Sequence, residues 1–261
     1  AANGLYGQLT GMAGPLINFP QVLTQAIAMS LVPAIAAAYK QKDMAFLNYN
    51  VRLGVRTSMI IGLPCALGLM VLAEPIMLLL YPFQKASAVS AAPCLFIMAF
   101  GVIFLSTVQT LTGVLQGLGK PMIPVVNLFI GAIVKVVLTY TLTGIDSINV
   151  KGAAIGTVAA YIVASTLNIM AVKKYTGVKF DFMLTYVKPI ASAVVMSAAV
   201  WISFRILFGY FGNALSAMIA IMIGVAVYCA MLFITKSIKK EELRVLPKGG
   251  KLLNLINKVK R

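Results

Sequence analysis

The sequence predicts an all-α protein, a polytopic transmembrane helix bundle of about seven spans. Three observations predict it. Hydrophobic residues make up 61% of the 261-residue chain and charged residues 11%, against about 45–50% and 25% in ordinary soluble domains. Apolar runs of about 18 residues or more, nearly free of charge, recur along the chain, and such runs match a hydrocarbon core of ~30 Å. Alternation of apolar and polar residues is absent, which disfavours a membrane β-barrel.

The spans fall near 8–39, 50–73, 88–116, 121–143, 151–172, 184–208 and 213–235. The first carries Gly11, Gly14, Pro15, Pro20 and Pro33, with Asn18, Gln21 and Gln25 sharing roughly one face at spacings of three and four. The second begins with Arg52 and Arg56, continues through Gly62, Pro64 and Gly68, and ends at "AEPI", which holds Glu74. The third holds Gln109 and Gln116, seven residues apart. The fourth contains "NLFIGAIVKVVLTYTL", where every residue from Leu128 to Leu138 is apolar or glycine except Lys135. Asn127 lies eight residues before that lysine and faces inward if it does. The fifth contains "GAAIGTVAAYIVAS", whose small residues permit close helix packing. The last two are almost wholly apolar, and the links between spans are too short for a soluble domain.

Several function classes drop out. The chain has no histidine, no nucleotide-binding loop, no Cys-x-x-Cys and no nucleophile elbow, and its six acidic residues are scattered. Nothing argues for an enzyme, a cofactor or a metal site. Cys65, Cys94 and Cys229 read as small packing residues in apolar segments.

Charge sets the expected orientation. Threading seven spans puts eighteen of the 22 lysines and arginines on one side, including the C-terminal tail. Lys85, Lys151 and Arg205 fall on the other, and Lys135 stands at mid-depth. Basic loops stay in the cytoplasm, so the C-terminus is expected there and the net charge of +16 reflects topology rather than nucleic-acid binding. This threading places Ala1 outside. With no initiator methionine or signal peptide, an N-terminal portion is expected to be missing. In the tail, residues 239–261, Leu252, Leu255, Ile256 and Val259 share a helical face flanked by lysines. That pattern suits a basic amphipathic helix on anionic membrane lipids, and a disordered basic tail is the competing reading.

Helix breakers within spans suit transporters whose helices bend. Polar residues at depth are either interhelical glue or cavity lining. Lys135, Arg56, Asn127, Gln21, Gln25 and Gln109 are the candidate substrate-binding residues. An ammonium at mid-membrane costs about 2.5–3.5 kcal/mol on insertion scales, so Lys135 is expected to face a cavity or an acid, and no acid lies at matching depth in this chain. Arg56 lies one turn deeper than Arg52, where a guanidinium fork can engage a diphosphate. Glu74, beside Pro75, is the candidate for ion coupling, and an interface residue is the competing reading.

These stretches also resemble a known family. "LYGQLTGMAGPLINFPQVLTQAIAMSLVPAI" looks like the eighth helix of the SpoVB-type polysaccharide exporters, and "TGVLQGLGKPMIPVVNLFIGAIVK" and "KGAAIGTVAAYIV" resemble their tenth to twelfth. That group belongs to the multidrug/oligosaccharidyl-lipid/polysaccharide superfamily, with the MurJ-type lipid II flippases and the drug antiporters. The resemblance covers nearly all of the chain. It implies fourteen helices in two pseudo-symmetric lobes, of which this chain holds the eighth to fourteenth. Residues 1–175 are then five of the six helices of the second lobe, and 176–238 an additional pair lining a lipid groove. It further implies alternating-access transport of a lipid-linked anionic glycan across the plasma membrane, together with the missing N-terminal lobe. In sporulating Firmicutes the SpoVB group serves spore cortex synthesis. The alternatives are a drug/cation antiporter of the same superfamily and a non-transporting membrane scaffold.

Overall fold

The computed structural model describes residues 7–145, 148–181 and 183–235, and these are helical apart from short links. A π-helical turn, Gln8–Ala13, leads into α1, Gly14–Lys40. Then follow α2, Met44–Val71, the short α3, Ala73–Leu80, and α4, Lys85–Gly117. Helix α5 is Met122–Thr143 and α6 is Lys151–Thr176. A second π-helical turn, Met183–Val187, opens α7, Lys188–Ile234.

Among the described residues six helical segments are long and apolar enough to cross a membrane, and the last, Met183–Ile234, has 52 residues. At 1.5 Å per residue it would reach roughly 78 Å, more than twice a ~30 Å hydrocarbon core. It does not run straight. Gly212 has φ 69° and ψ −174°, a conformation open to glycine because it lacks a Cβ. There α7 folds back, so that the hydroxyls of Ser192 and Thr235 meet at 3.2 Å and a Cβ on Gly224 would run into Val200. Divided at Gly212, the described residues offer seven helical segments of spanning length, the last two forming a hairpin of residues 188–211 and 213–234.

Helix α4 is the centre of the bundle, with α1, α2 and α6 packed around it. Its small residues allow close approach: a Cβ on Gly113 would strike the backbone of Ala28 in α1, one on Gly117 would lie 2.8 Å from Ile35, and one on Gly101 3.0 Å from Val158 in α6. Helix α5 packs mainly on α6. There Gly131 lies against Ala160, Gly152 against Leu142 and Gly156 against Thr139. The C-terminal hairpin leans on α2, where Tyr228 donates its hydroxyl to the carbonyl of Ile60 at 2.7 Å. It also touches α3, where the Asn213 amide donates to the carbonyl of Pro75 at 3.0 Å. Four prolines sit inside these helices without ending them: Pro20 and Pro33 in α1, Pro64 in α2 and Pro93 in α4.

Two of the buried clusters lie toward opposite ends of the bundle. Met12, Ala73, Met77 and Ala88 cluster toward one end. Ile35, Leu47, Leu118, Val172 and Val178 cluster toward the other. The second end gathers Lys40, Lys42, Lys120, Lys173, Lys174 and Lys179 in and beside its links. Lys120 lies 4.3 Å from the Tyr175 ring, which joins the α4–α5 link to the end of α6. The amphipathic tail, 239–261, lies outside the described residues.

Candidate functional site

An apolar groove of about 440 Å³ runs between α1, α2 and the C-terminal hairpin. Leu16, Phe19 and Pro20 of α1 form one wall, and Pro64, Cys65, Gly68 and Leu69 of α2 form the base. Met196, Val200, Ile221, Gly224, Val225, Tyr228 and Cys229 of the hairpin close it. Two features of the local sequence hold it open. Gly68 leaves the base open, with only Met196 Cε, at 4.0 Å, near the place a Cβ would take. The hydroxyl of Tyr228 is turned away onto Ile60, so the groove receives the ring rather than the polar tip. Such a surface is chemically suited to a hydrocarbon chain and offers almost nothing to a soluble polar ligand.

Of the three cysteines, Cys94 meets the expectation of a packing residue, in a core cluster with Leu9 and Ala154, and Cys65 and Cys229 depart from it. Cys94 is buried, Cys65 is half-buried and Cys229 is exposed. Cys65 and Cys229 line the groove from opposite helices, so apolar surroundings in the sequence marked a groove wall as well as a core.

The candidate polar residues occupy four places. Arg56 is buried in α2 with 4% of its surface exposed, while Arg52 is exposed. Gln109 accepts a hydrogen bond from the Thr24 hydroxyl across the α1–α4 crossing. Asn127 is buried and donates to Asn168 at 2.8 Å, and Asn168 donates in turn to the carbonyl of Val108 at 3.5 Å. In this chain the two amides therefore act as glue joining α5, α6 and α4. On the free face of α1, Asn18 and Gln25 are exposed and Gln21 is half-buried.

Lys135 is exposed on α5, flanking the seam in which its own carbonyl lies 3.0 Å from the Cβ position of Gly156. The described packing does not bring Lys135 beside Arg56, because α5 packs on α6 and Arg56 belongs to α2. Glu74 stands exposed in the first turn of α3, where the helix dipole favours a carboxylate. It lines an open cavity of about 750 Å³ together with Trp201 and Arg205, whose guanidinium lies 4.8 Å from the Trp201 ring.

Two contributors were not singled out from the sequence. Asn168 carries the α5–α6–α4 network, and its signal was a lone amide in the apolar run "YIVASTLNIMAV". The Ser58–Thr110 hydroxyl pair ties α2 to α4, and no local pattern distinguishes such hydroxyls from those bonding their own helix.

Residues 13–225 match the family model described as "Lipid II flippase MurJ". Stage V sporulation protein B of Bacillus subtilis is 28% identical over 97% of this chain and 48% of that protein. The lipid II flippase MurJ of the same organism is 25% identical over 84% of this chain and 42% of that protein. A solved structure of lipid II flippase MurJ in an inward closed conformation superposes with a TM-score of 0.71 at 19% identity, covering 88% of this chain and 47% of that one. The chain thus spans about half the length of the curated relatives it matches.

Proposed function

The chain belongs to the lipid II flippase MurJ family, and from that membership we propose that it forms part of a multi-pass plasma-membrane transporter of a lipid-linked anionic glycan. The observation that carries this reading is the apolar groove between α1, α2 and the C-terminal hairpin. A substrate with a long hydrocarbon tail and a polar, charged head needs two environments during transfer. The groove supplies the first, holding the tail while the head leaves the aqueous phase.

The head requires cationic groups within a cavity completed by the N-terminal lobe of the same protein. Arg56 recognises the diphosphate at the cytoplasmic end, since its guanidinium presents paired donors to phosphate oxygens. Lys135 attracts the same group at mid-depth. Gln21 and Gln25, on the free face of α1, meet glycan hydroxyls. Helices that continue through Pro20, Pro33, Pro64 and Pro93 provide bending points for alternating access. The basic end faces the cytoplasm, following the excess of lysine and arginine in its links, and the basic tail rests on anionic lipid.

The groove is tested with a photoactivatable isoprenoid diphosphate added to the full-length protein. Crosslinks should map to Cys65, Ile221 and Val225, and Val225→Trp, which fills the groove from an exposed position, should suppress them. Crosslinks confined to other faces of the bundle, or unchanged by Val225→Trp, would remove the groove from the transport path.

A further inference from the structure

At the basic end of the bundle a second cavity of about 800 Å³ opens between α4, α6 and the turn leading into α7. It is separate from the α1–α2–hairpin groove, and the proposed transport path does not use it. Ile103 and Phe104 of α4 and Ile169 of α6 give it an apolar wall, and Lys173 and Lys179 line it as well. Both lysines are exposed. They reach one cavity because α6 stops sharply at Gly177, whose φ of 65° caps the helix while its amide bonds the carbonyl of Lys173. The chain turns there, and Lys179 comes back to the space that Lys173 already borders.

The charge of the lining is one-sided, since Lys173 and Lys179 are its charged residues. Thr107, Ser165 and Thr166 also line the cavity, but their hydroxyls donate to carbonyls of their own helices at 3.2, 2.9 and 2.8 Å. The ammonium groups are left as the cationic donors. Asp181, the acid nearest in sequence, is not among the lining residues, and its carboxylate accepts the amide of Leu184 at 3.1 Å. Lys120 and Lys174, 4.3 and 6.0 Å from the Tyr175 ring, add positive potential at the same end.

A ligand that fits has an anionic head for two lysines and a hydrocarbon chain for the adjoining wall. A small soluble anion would leave the apolar wall uncovered, and a zwitterionic head would bring its own cation toward the ammonium groups. We propose that this cavity is a site for an anionic glycerophospholipid of the surrounding bilayer. Its phosphate is held by Lys173 and Lys179, and one acyl chain lies along Ile103, Phe104 and Ile169. Basic pockets between transmembrane helices recognise headgroups in this way.

The test uses the full-length protein in nanodiscs containing phosphatidylglycerol with a photoactivatable acyl chain. Crosslinks should map to α4 and α6 around Phe104 and Ile169. Unlabelled phosphatidylglycerol should compete, and phosphatidylcholine should not. Lys173→Gln with Lys179→Gln should weaken binding about thirtyfold, while the double arginine variant should stay within about threefold of wild type. Lys179→Gln alone, on an exposed link, should lose about fivefold and decides the matter if the double variant does not fold. Labelling unaffected by the glutamine variants, or competed equally by phosphatidylcholine, overturns the proposal. Preferential competition by an isoprenoid diphosphate also overturns it, by giving the cavity to the transported substrate.

Discussion

Replacing Gly113 with alanine puts a methyl group where α1 and α4 cross. The new Cβ would lie under 3.0 Å from both the carbonyl oxygen and carbon of Ala28. These are backbone atoms in a helix, so they cannot swing aside as a side chain would. The helices must part by several tenths of an ångström, and overpacking of this kind costs about 1–3 kcal/mol. One turn away, the Thr24–Gln109 hydrogen bond spans the same crossing, and stretching it costs about 0.6–1.7 kcal/mol. Against this, alanine exceeds glycine in helix propensity by about 1 kcal/mol. Gly113→Ala should therefore destabilise by about 0.6–3.7 kcal/mol. Gly68→Ala is the matched control, because its Cβ would meet only Met196 Cε at 4.0 Å. There the propensity gain stands nearly alone, and the variant should be stabilised by about 0.5–1 kcal/mol. Thermal unfolding of the purified proteins in detergent reads both signs. A Gly113→Ala protein as stable as wild type, or more stable than Gly68→Ala, would refute the close α1–α4 crossing.

Asn127→Ala should lower stability by about 1 kcal/mol, since it leaves the buried Asn168 carbonyl without the donor it has at 2.8 Å; the same unfolding assay checks it. In the full-length protein Lys135→Met should insert at least as well as wild type yet lose about tenfold or more in glycan transfer, the equivalent of one charge-assisted contact. Lys135→Arg should keep partial activity, and normal transfer by Lys135→Met would make the lysine structural. Arg56→Lys keeps the charge and loses the fork, so complementation of a flippase-deficient strain should fall, and full complementation would reduce Arg56 to a packing role. Cysteine placed at Ser87 should be labelled by impermeant reagent in intact cells while cysteine at Asn48 is protected, and the reverse pattern would invert the orientation.

The crossings were legible because bilayer thickness imposes a length on each apolar run, and "GYFGN" broke the last run where Gly212 folds α7 back. The basic end was legible because lysine and arginine collect in the links of one side of the bundle and are sparse in those of the other. Pairings across the bundle were not. Thr24 and Gln109 are separated by 85 positions, and Asn127 and Asn168 by 41. An amide in an apolar run carries the same sequence signal whether it glues helices or lines a cavity. Gln109 and Asn127, binding candidates from the sequence, hydrogen-bond Thr24 and Asn168 in the bundle. The groove was hidden too, because its wall residues Leu16, Leu69 and Ile221 differ in no sequence property from those of a packed core. Packing alone separates them, and it depends on where the hairpin lies against α2. Arg56 and Lys135 belong to α2 and α5, which pack mainly on α4 and on α6 respectively.

The most direct measurement is transbilayer movement by the full-length protein reconstituted in liposomes with a fluorescent lipid-linked disaccharide diphosphate on one leaflet. Appearance of the head on the other leaflet is read by a membrane-impermeant quencher. Transfer should exceed that of empty liposomes, be slowed by Val225→Trp in the groove, and require both the hydrocarbon tail and the diphosphate on the substrate. Transfer at the rate of empty liposomes, or equal transfer of a substrate lacking the tail, would contradict the account.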